Sequence, residues 1–182
     1  MKSLHIYPFV IILTLLLSAC STTIPETDDT PPRFSFQIRG DGFSHTFDQD
    51  TDFSSFQLNL RDGAVYNFTL TGADDGGVSL IRWQFAGDYL TFQEPVESPW
   101  VVTNITELTK NVEFMGDRSG PLTANVLTGR IQIKGNRIGD PLTSVAYNFW
   151  VRDFGGQSGS VNTFSGELNI LIDDHETEIV QF

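Results

Sequence analysis

From Arg33 onward the chain alternates apolar and polar residues with a period of two, and no stretch of a dozen residues carries a helical stripe. Phe34, Phe36 and Ile38 are interleaved with Ser35 and Gln37, Phe56, Leu58 and Leu60 with Gln57 and Asn59, and Tyr66, Phe68 and Leu70 with Asn67 and Thr69. The same alternation runs through Ile81, Trp83 and Phe85, through Ile131 and Ile133, through Val145, Tyr147, Phe149 and Val151, and through Leu168, Ile170 and Ile172. Each predicts a strand with one buried face. Ile179, Val180 and Phe182 predict a short final one. Between the strands lie Arg61-Asp62-Gly63, Ala86-Gly87-Asp88, Gly135-Asn136 and Gly139-Asp140-Pro141, residues that supply positive φ or a preset proline φ to turns. Many short strands separated by such turns predict an all-β sandwich or barrel.

The N-terminus breaks this pattern. Lys2 precedes an apolar run from Ile6 to Leu17, which closes on Leu17-Ser18-Ala19-Cys20. Leu4 to Ala19 is 16 residues long and contains His5 and Pro8, short of the roughly 20 apolar residues that span a bilayer. A positive start, an apolar middle and small residues before the cut are the parts of a secretory signal. Leu17 to Cys20 resembles the lipobox of bacterial lipoproteins. That resemblance implies a signal peptide at residues 1–19 and a mature chain whose first residue, Cys20, carries covalent lipid, palmitate included. Two or more acyl chains hold a protein stably on a membrane, each buried methylene contributing roughly 0.8 kcal/mol. Ser21 stands where an aspartate retains such proteins at the inner membrane, so the resemblance implies the outer membrane of the bacterial envelope, facing either the periplasm or the surface.

Ser21 to Pro32 contains three prolines, three acids and one large apolar residue. That composition predicts a solvated tether over residues 20–32, and Ser21 to Pro32 fully extended would reach about 40 Å. Residues 33–182 then make one domain, large enough to fold without a staple. Cys20 is the only cysteine, so the domain has no disulfide of its own.

The formal charge of the chain is -12, and loss of Lys2 with the leader takes it to -13. Such a surface repels nucleic acid and anionic headgroups, so membrane attachment rests on the lipid. Tyr66 to Ile172 resembles an immunoglobulin-like β-sandwich. The resemblance is carried by Tyr66-Asn67-Phe68-Thr69-Leu70-Thr71, Asp74-Asp75-Gly76-Gly77, Ile81-Arg82-Trp83, and the run Tyr147 to Gly156. It implies an antiparallel sandwich in which Trp83 is buried on the third strand, Tyr147 makes the tyrosine corner, and residues 33–60 are additional or edge strands. The antibody cysteine pair is missing.

A short echo sharpens this reading. Tyr66-Asn67-Phe68 precedes a D-x-G-G-x-S turn at Asp74, and Tyr147-Asn148-Phe149 precedes another at Asp153. Two tandem small domains would account for the echo, as would one sandwich with both turns at the same pole. In the second case Asp74, Asp75 and Asp153 converge as candidate oxygen ligands for calcium, while Asp-Gly turns also arise from turn preference alone. Asp48, Asp50 and Asp52 fail as an EF-hand, because Phe53 and Asn59 stand where glycine and glutamate are required.

No nucleophile elbow, zinc-protease, P-loop or dinucleotide motif is present, and His45 and His175 are not spaced as a metal pair. Trp150, on the outward phase of its strand, and Trp100, after Pro99, are candidate contact residues. These features predict a non-catalytic binding or scaffolding module with a protein or glycan partner. A hydrolytic, carbohydrate-active lipoprotein and a subunit of an envelope assembly are the alternatives.

Overall fold

The computed structural model describes residues 24–118, 126–137 and 144–182. Cys20 and the apolar leader lie outside them. Among the described residues no helix is long and apolar enough to cross a membrane.

In chain order the strands are β1 (Arg33–Gly40), β2 (Phe43–Asp48), β3 (Phe56–Arg61), β4 (Val65–Ala73), β5 (Val78–Ala86), β6 (Leu90–Phe92), β7 (Val101–Asn104), β8 (Thr109–Met115), β9 (Val126–Gly135), β10 (Val145–Asp153), β11 (Thr163–Asp173) and β12 (Glu178–Gln181). They form two sheets, ordered β2-β1-β4-β9-β6 and β12-β3-β11-β10-β5-β8-β7. The all-β sandwich read from the alternation is therefore the fold. With β4 between β1 and β9 in one sheet, and β10 between β5 and β11 in the other, the core follows the immunoglobulin arrangement. Pairing is antiparallel except between β3 and β11, which run parallel, so the second sheet is mixed.

Alternation decides which residues meet between the sheets. Phe36 of β1 lies 5.4 Å from Phe68 and 5.3 Å from Tyr147, and Phe68 meets Tyr147 edge-on at 5.5 Å. The two Tyr-Asn-Phe triplets thus face each other across the core, one from each sheet. Each buried large side chain contributes about 1.5–3 kcal/mol relative to exposure. β1 contributes Phe34, Phe36 and Ile38, all buried.

The strands of residues 33–60 are present as expected: β2 is an edge strand, β1 is an added interior strand between β2 and β4, and β3 lies between β12 and β11. The tyrosine corner is corrected. Trp83 is buried as expected, but the Tyr147 hydroxyl is buried with no hydrogen-bond partner among the described residues. Tyr66 holds the corner-like contact instead: its hydroxyl accepts the Arg61 N–H at 2.9 Å, five residues upstream, and lies 2.6 Å from Thr177 Oγ1. The phase of the strand is the same for both tyrosines; only Tyr66 ends beside a turn with an unpaired N–H.

The tether differs from expectation as well. Gln157 N–H donates to Pro25 O and Ser158 N–H to Glu26 O, each at 2.9 Å, and Asn162 Nδ2 donates to Asp28 O at 2.7 Å. Ile24 to Asp28 is therefore strapped to the connection between β10 and β11 rather than solvated. Composition missed this because backbone carbonyls make most of the bonds.

Candidate functional site

Two places on the sandwich concentrate polar chemistry: a buried group of carboxylates at the pole where the N-terminal strap docks, and a groove on the outer face of the first sheet.

At the first, Asp74 directly follows β4 and β10 ends at Asp153. Asp74 Oδ1 accepts the Gly76 N–H at 2.8 Å, and Gly77, at φ 90°, completes a turn that a side chain would strain. Asp153 Oδ1 accepts the N–H groups of Gly155 at 2.9 Å and Asn162 at 2.7 Å, while Oδ2 accepts Asn162 Nδ2 at 2.7 Å. Phe154 N–H donates to Gly77 O at 3.0 Å and ties the two turns together. The strap brings in Asp28, whose Oδ1 accepts the Thr30 hydroxyl at 2.6 Å and the Thr30 N–H at 3.0 Å.

Asp28, Asp74 and Asp153 place one carboxylate oxygen each within 4.8 Å of the others, and all three are buried. Asp74 and Asp153 thus come together as the echo predicts, but the third member is Asp28. Asp75 is exposed. Nothing in a proline- and acid-rich segment marks Asp28 for burial; the Asp-x-Thr spacing to Thr30, which forms the local turn, is the one local signal it carries.

Burial pushes the Asp74 carboxyl up to about 6, and the negative charges of Asp28 and Asp153 add to that rise against the opposing Gly76 N–H. Asp28 is held below the usual carboxylate value, first by the Thr30 hydroxyl. The trio meets its charge problem by keeping a proton on Asp74 more readily than on Asp28. Three oxygens are fewer than the six to eight that calcium takes, and Asp153 has both of its oxygens engaged by N–H donors. A hard cation there would need several further oxygens. For glycoside hydrolysis the three oxygens are too close and too enclosed, since flanking carboxyl groups stand about 5–9.5 Å apart across a bound sugar.

The second place is a groove of about 550 Å³. Its floor is Asn67 of β4 with Gln132 and Arg130 of β9, whose intervening neighbours Tyr66, Phe68 and Ile133 point into the core. Asn67 and Gln132 are directly opposite in register, and Arg130 reaches Asn67 Oδ1 through Nε at 3.2 Å and Nη2 at 2.9 Å. One wall carries Glu94 and Glu97, and Trp100 lines it as well.

Trp100 is held from behind. Its ring lies 5.4 Å from Trp83 and 5.3 Å from Phe114, and it fills the space left by Gly129, where an added Cβ would fall 1.4 Å from the indole Cζ2. It plugs the side of the sandwich beyond the short strand β6. Trp150 faces outward from the second sheet and is half-buried, with the Arg82 guanidinium 5.9 Å from its ring centroid; Arg82 in turn pairs with Glu113 at 2.7 Å. The strands of residues 33–60 do not cover it. Trp100 and Trp150 lie on different sheets and do not form one surface. His45, on edge strand β2, and His175, 3.2 Å from Asp173, are likewise apart in the fold.

No known family matches the chain, and no curated protein matches it. Among solved structures, the sixth cohesin of scaffoldin B from Acetivibrio cellulolyticus, in complex with a Cel5 dockerin mutant, is similar at 10% identity. The match covers 66% of this chain and 99% of that one, with a TM-score of 0.36.

Proposed function

We propose that this chain is a lipid-anchored, non-catalytic binding module of the bacterial cell envelope, held at the outer membrane through Cys20. The anchor rests on the Leu17-Ser18-Ala19-Cys20 sequence and on the apolar leader that precedes it. The strap at Ile24 to Asp28 leaves few residues between Cys20 and the sandwich, so the carboxylate pole stands toward the membrane and the groove lies along the side of the domain.

The observation that carries the binding reading is the distribution of charge in the groove. Both carboxylates sit on one wall, and the floor opposite offers two amides and a guanidinium but no acid. Acid and base must flank a bond to cleave it, so the groove is built to hold a molecule rather than to hydrolyse it.

The test of the anchor is metabolic labelling with an alkyne fatty acid. The full-length chain takes up label and fractionates with membranes, whereas Cys20→Ala stays unlabelled and unprocessed. A processed, soluble product from Cys20→Ala overturns the reading.

A further inference from the structure

We infer that the groove over β4 and β9 is a saccharide site, taking a neutral, hydroxyl-rich chain along the row Asn67, Gln132 and Arg130 with its end against Trp100. The inference rests on the binding-module reading and names its ligand class.

The argument is one of elimination by chemistry. At about 550 Å³ the groove falls within the 300–1,000 Å³ of small-ligand sites. No cation among the described residues pairs with Glu94 or Glu97, so an anionic ligand would meet two unpaired carboxylates. A cationic ligand would meet Arg130 on the floor. A wholly apolar ligand would strip water from five planar polar groups and return no hydrogen bonds, each loss costing about 1–3 kcal/mol. A neutral polyol has none of these penalties. Its hydroxyls donate to Glu94, Glu97 and the Gln132 amide oxygen and accept from the amide and remaining guanidinium N–H groups, while Asn67 Oδ1 stays bonded to Arg130, so every group on floor and wall has a partner.

The arrangement is also fixed before a ligand arrives. Arg130 is locked through two of its nitrogens to Asn67, and Trp100 is packed on Trp83 and Phe114 in the space that Gly129 leaves. An apolar indole beside a row of planar hydrogen-bonding groups gives the C–H face of a sugar ring one partner and its hydroxyls the other. Little side-chain order is lost on binding, which favours affinity.

The test uses the full chain and three neutral hexasaccharides of glucose or N-acetylglucosamine: cellohexaose, maltohexaose and chitohexaose. Tryptophan emission reports binding through Trp100. At least one of the three shifts the emission saturably below 10 mM, and the shift is unchanged between 50 and 500 mM NaCl, as a neutral ligand requires. Gln132→Ala and Arg130→Ala, both exposed positions, weaken it at least tenfold while moving the melting temperature by less than about 2 °C. No shift with any of the three, or a shift equal in both variants, overturns the inference. So does a salt-sensitive shift with spermine in place of the sugars. Shortening of the bound hexasaccharide would instead overturn the non-catalytic reading and leave the saccharide site standing, and the Cys20 label reports on the anchor independently of both.

Discussion

The two poles of the sandwich hold acids in opposite ways. At the pole of the strap, Asp28, Asp74 and Asp153 are buried at 7%, 8% and 0% exposure, and the groups that satisfy them are N–H and hydroxyl donors rather than cations. At the far pole, Asp41 pairs with Arg61 at 3.2 Å, and Asp174, with a side chain 70% exposed, pairs with Arg137. Exposed ion pairs are screened and contribute about 0–1 kcal/mol, whereas a buried carboxylate that organises three N–H groups leaves them unpaired if it is removed. The acids that matter for folding are therefore those without a positive partner.

Asp153→Ala tests that difference most directly. It strands the N–H groups of Gly155 and Asn162 inside the protein and frees Asn162 Nδ2 as well. The expected loss is about 2–4 kcal/mol in urea unfolding at pH 7, against about 0–0.5 kcal/mol for Asp174→Ala at the far pole. Equal losses at the two poles would break the contrast.

The charge at the strap pole is itself costly, and pH separates that cost from the hydrogen bonds. The folded Asp74 carboxyl, at about 6, lies above its unfolded value of 3.8, so the folded state binds more protons between those values. Its favourable contribution is complete below pH 3.8 and is lost as pH rises through 6. Asp28 has the opposite sign: its folded value is lowered, so its contribution is present above 3.8 and fades in more acid solution. Asp74→Asn keeps an oxygen for the Gly76 N–H and removes the charge. It should stabilise the protein by about 1–2 kcal/mol at pH 8, with the gain gone near pH 4. The measurement is a pair of urea curves at the two pH values with EDTA present, so that no cation contributes. A destabilised variant at pH 8 would mean that the trio is held by more than its donors.

The strands that the sequence pattern predicts are those whose alternation is visible: β1, β3, β4, β5, β9, β10 and β11, with β12 as the short final one. β7 escapes because its four residues, Val101 to Asn104, are all exposed and show no face. β8 buries the adjacent pair Asn111 and Val112, which breaks the period, and β6 is three residues long. The pole where Asp74 and Asp153 meet was legible because two similar turns end two similar strands. Asp28 was not, because its burial is decided by backbone bonds to residues more than 130 positions away. The groove was half legible. Trp100 stood out as a tryptophan after proline, but its seat depends on Gly129 having no side chain, a relation that no local pattern encodes.

The smallest effect sharpens the comparison within one residue type. Tyr66 and Tyr147 occupy the same place in the two Tyr-Asn-Phe triplets, and their rings are both buried. At the far pole the Tyr66 hydroxyl joins Arg61 N–H to Thr177, whose own hydroxyl reaches Asp41 at 3.0 Å, so it links β3, β4 and the turn before β12. Tyr66→Phe leaves the Arg61 N–H with only its longer 3.4 Å contact to Thr177 Oγ1 and should cost about 1–1.5 kcal/mol. The Tyr147 hydroxyl was desolvated on folding and gained no partner among the described residues, and its ionisation is pushed upward by that burial. Tyr147→Phe removes the desolvation cost and leaves the ring stacking intact, so stability should be unchanged or rise by up to about 1 kcal/mol. Thermal melts of the two variants beside the parent decide it. A loss in Tyr147→Phe matching that in Tyr66→Phe would show that the hydroxyl of Tyr147 is bonded after all, and that the repeat is symmetric in its energetics as well as in its sequence.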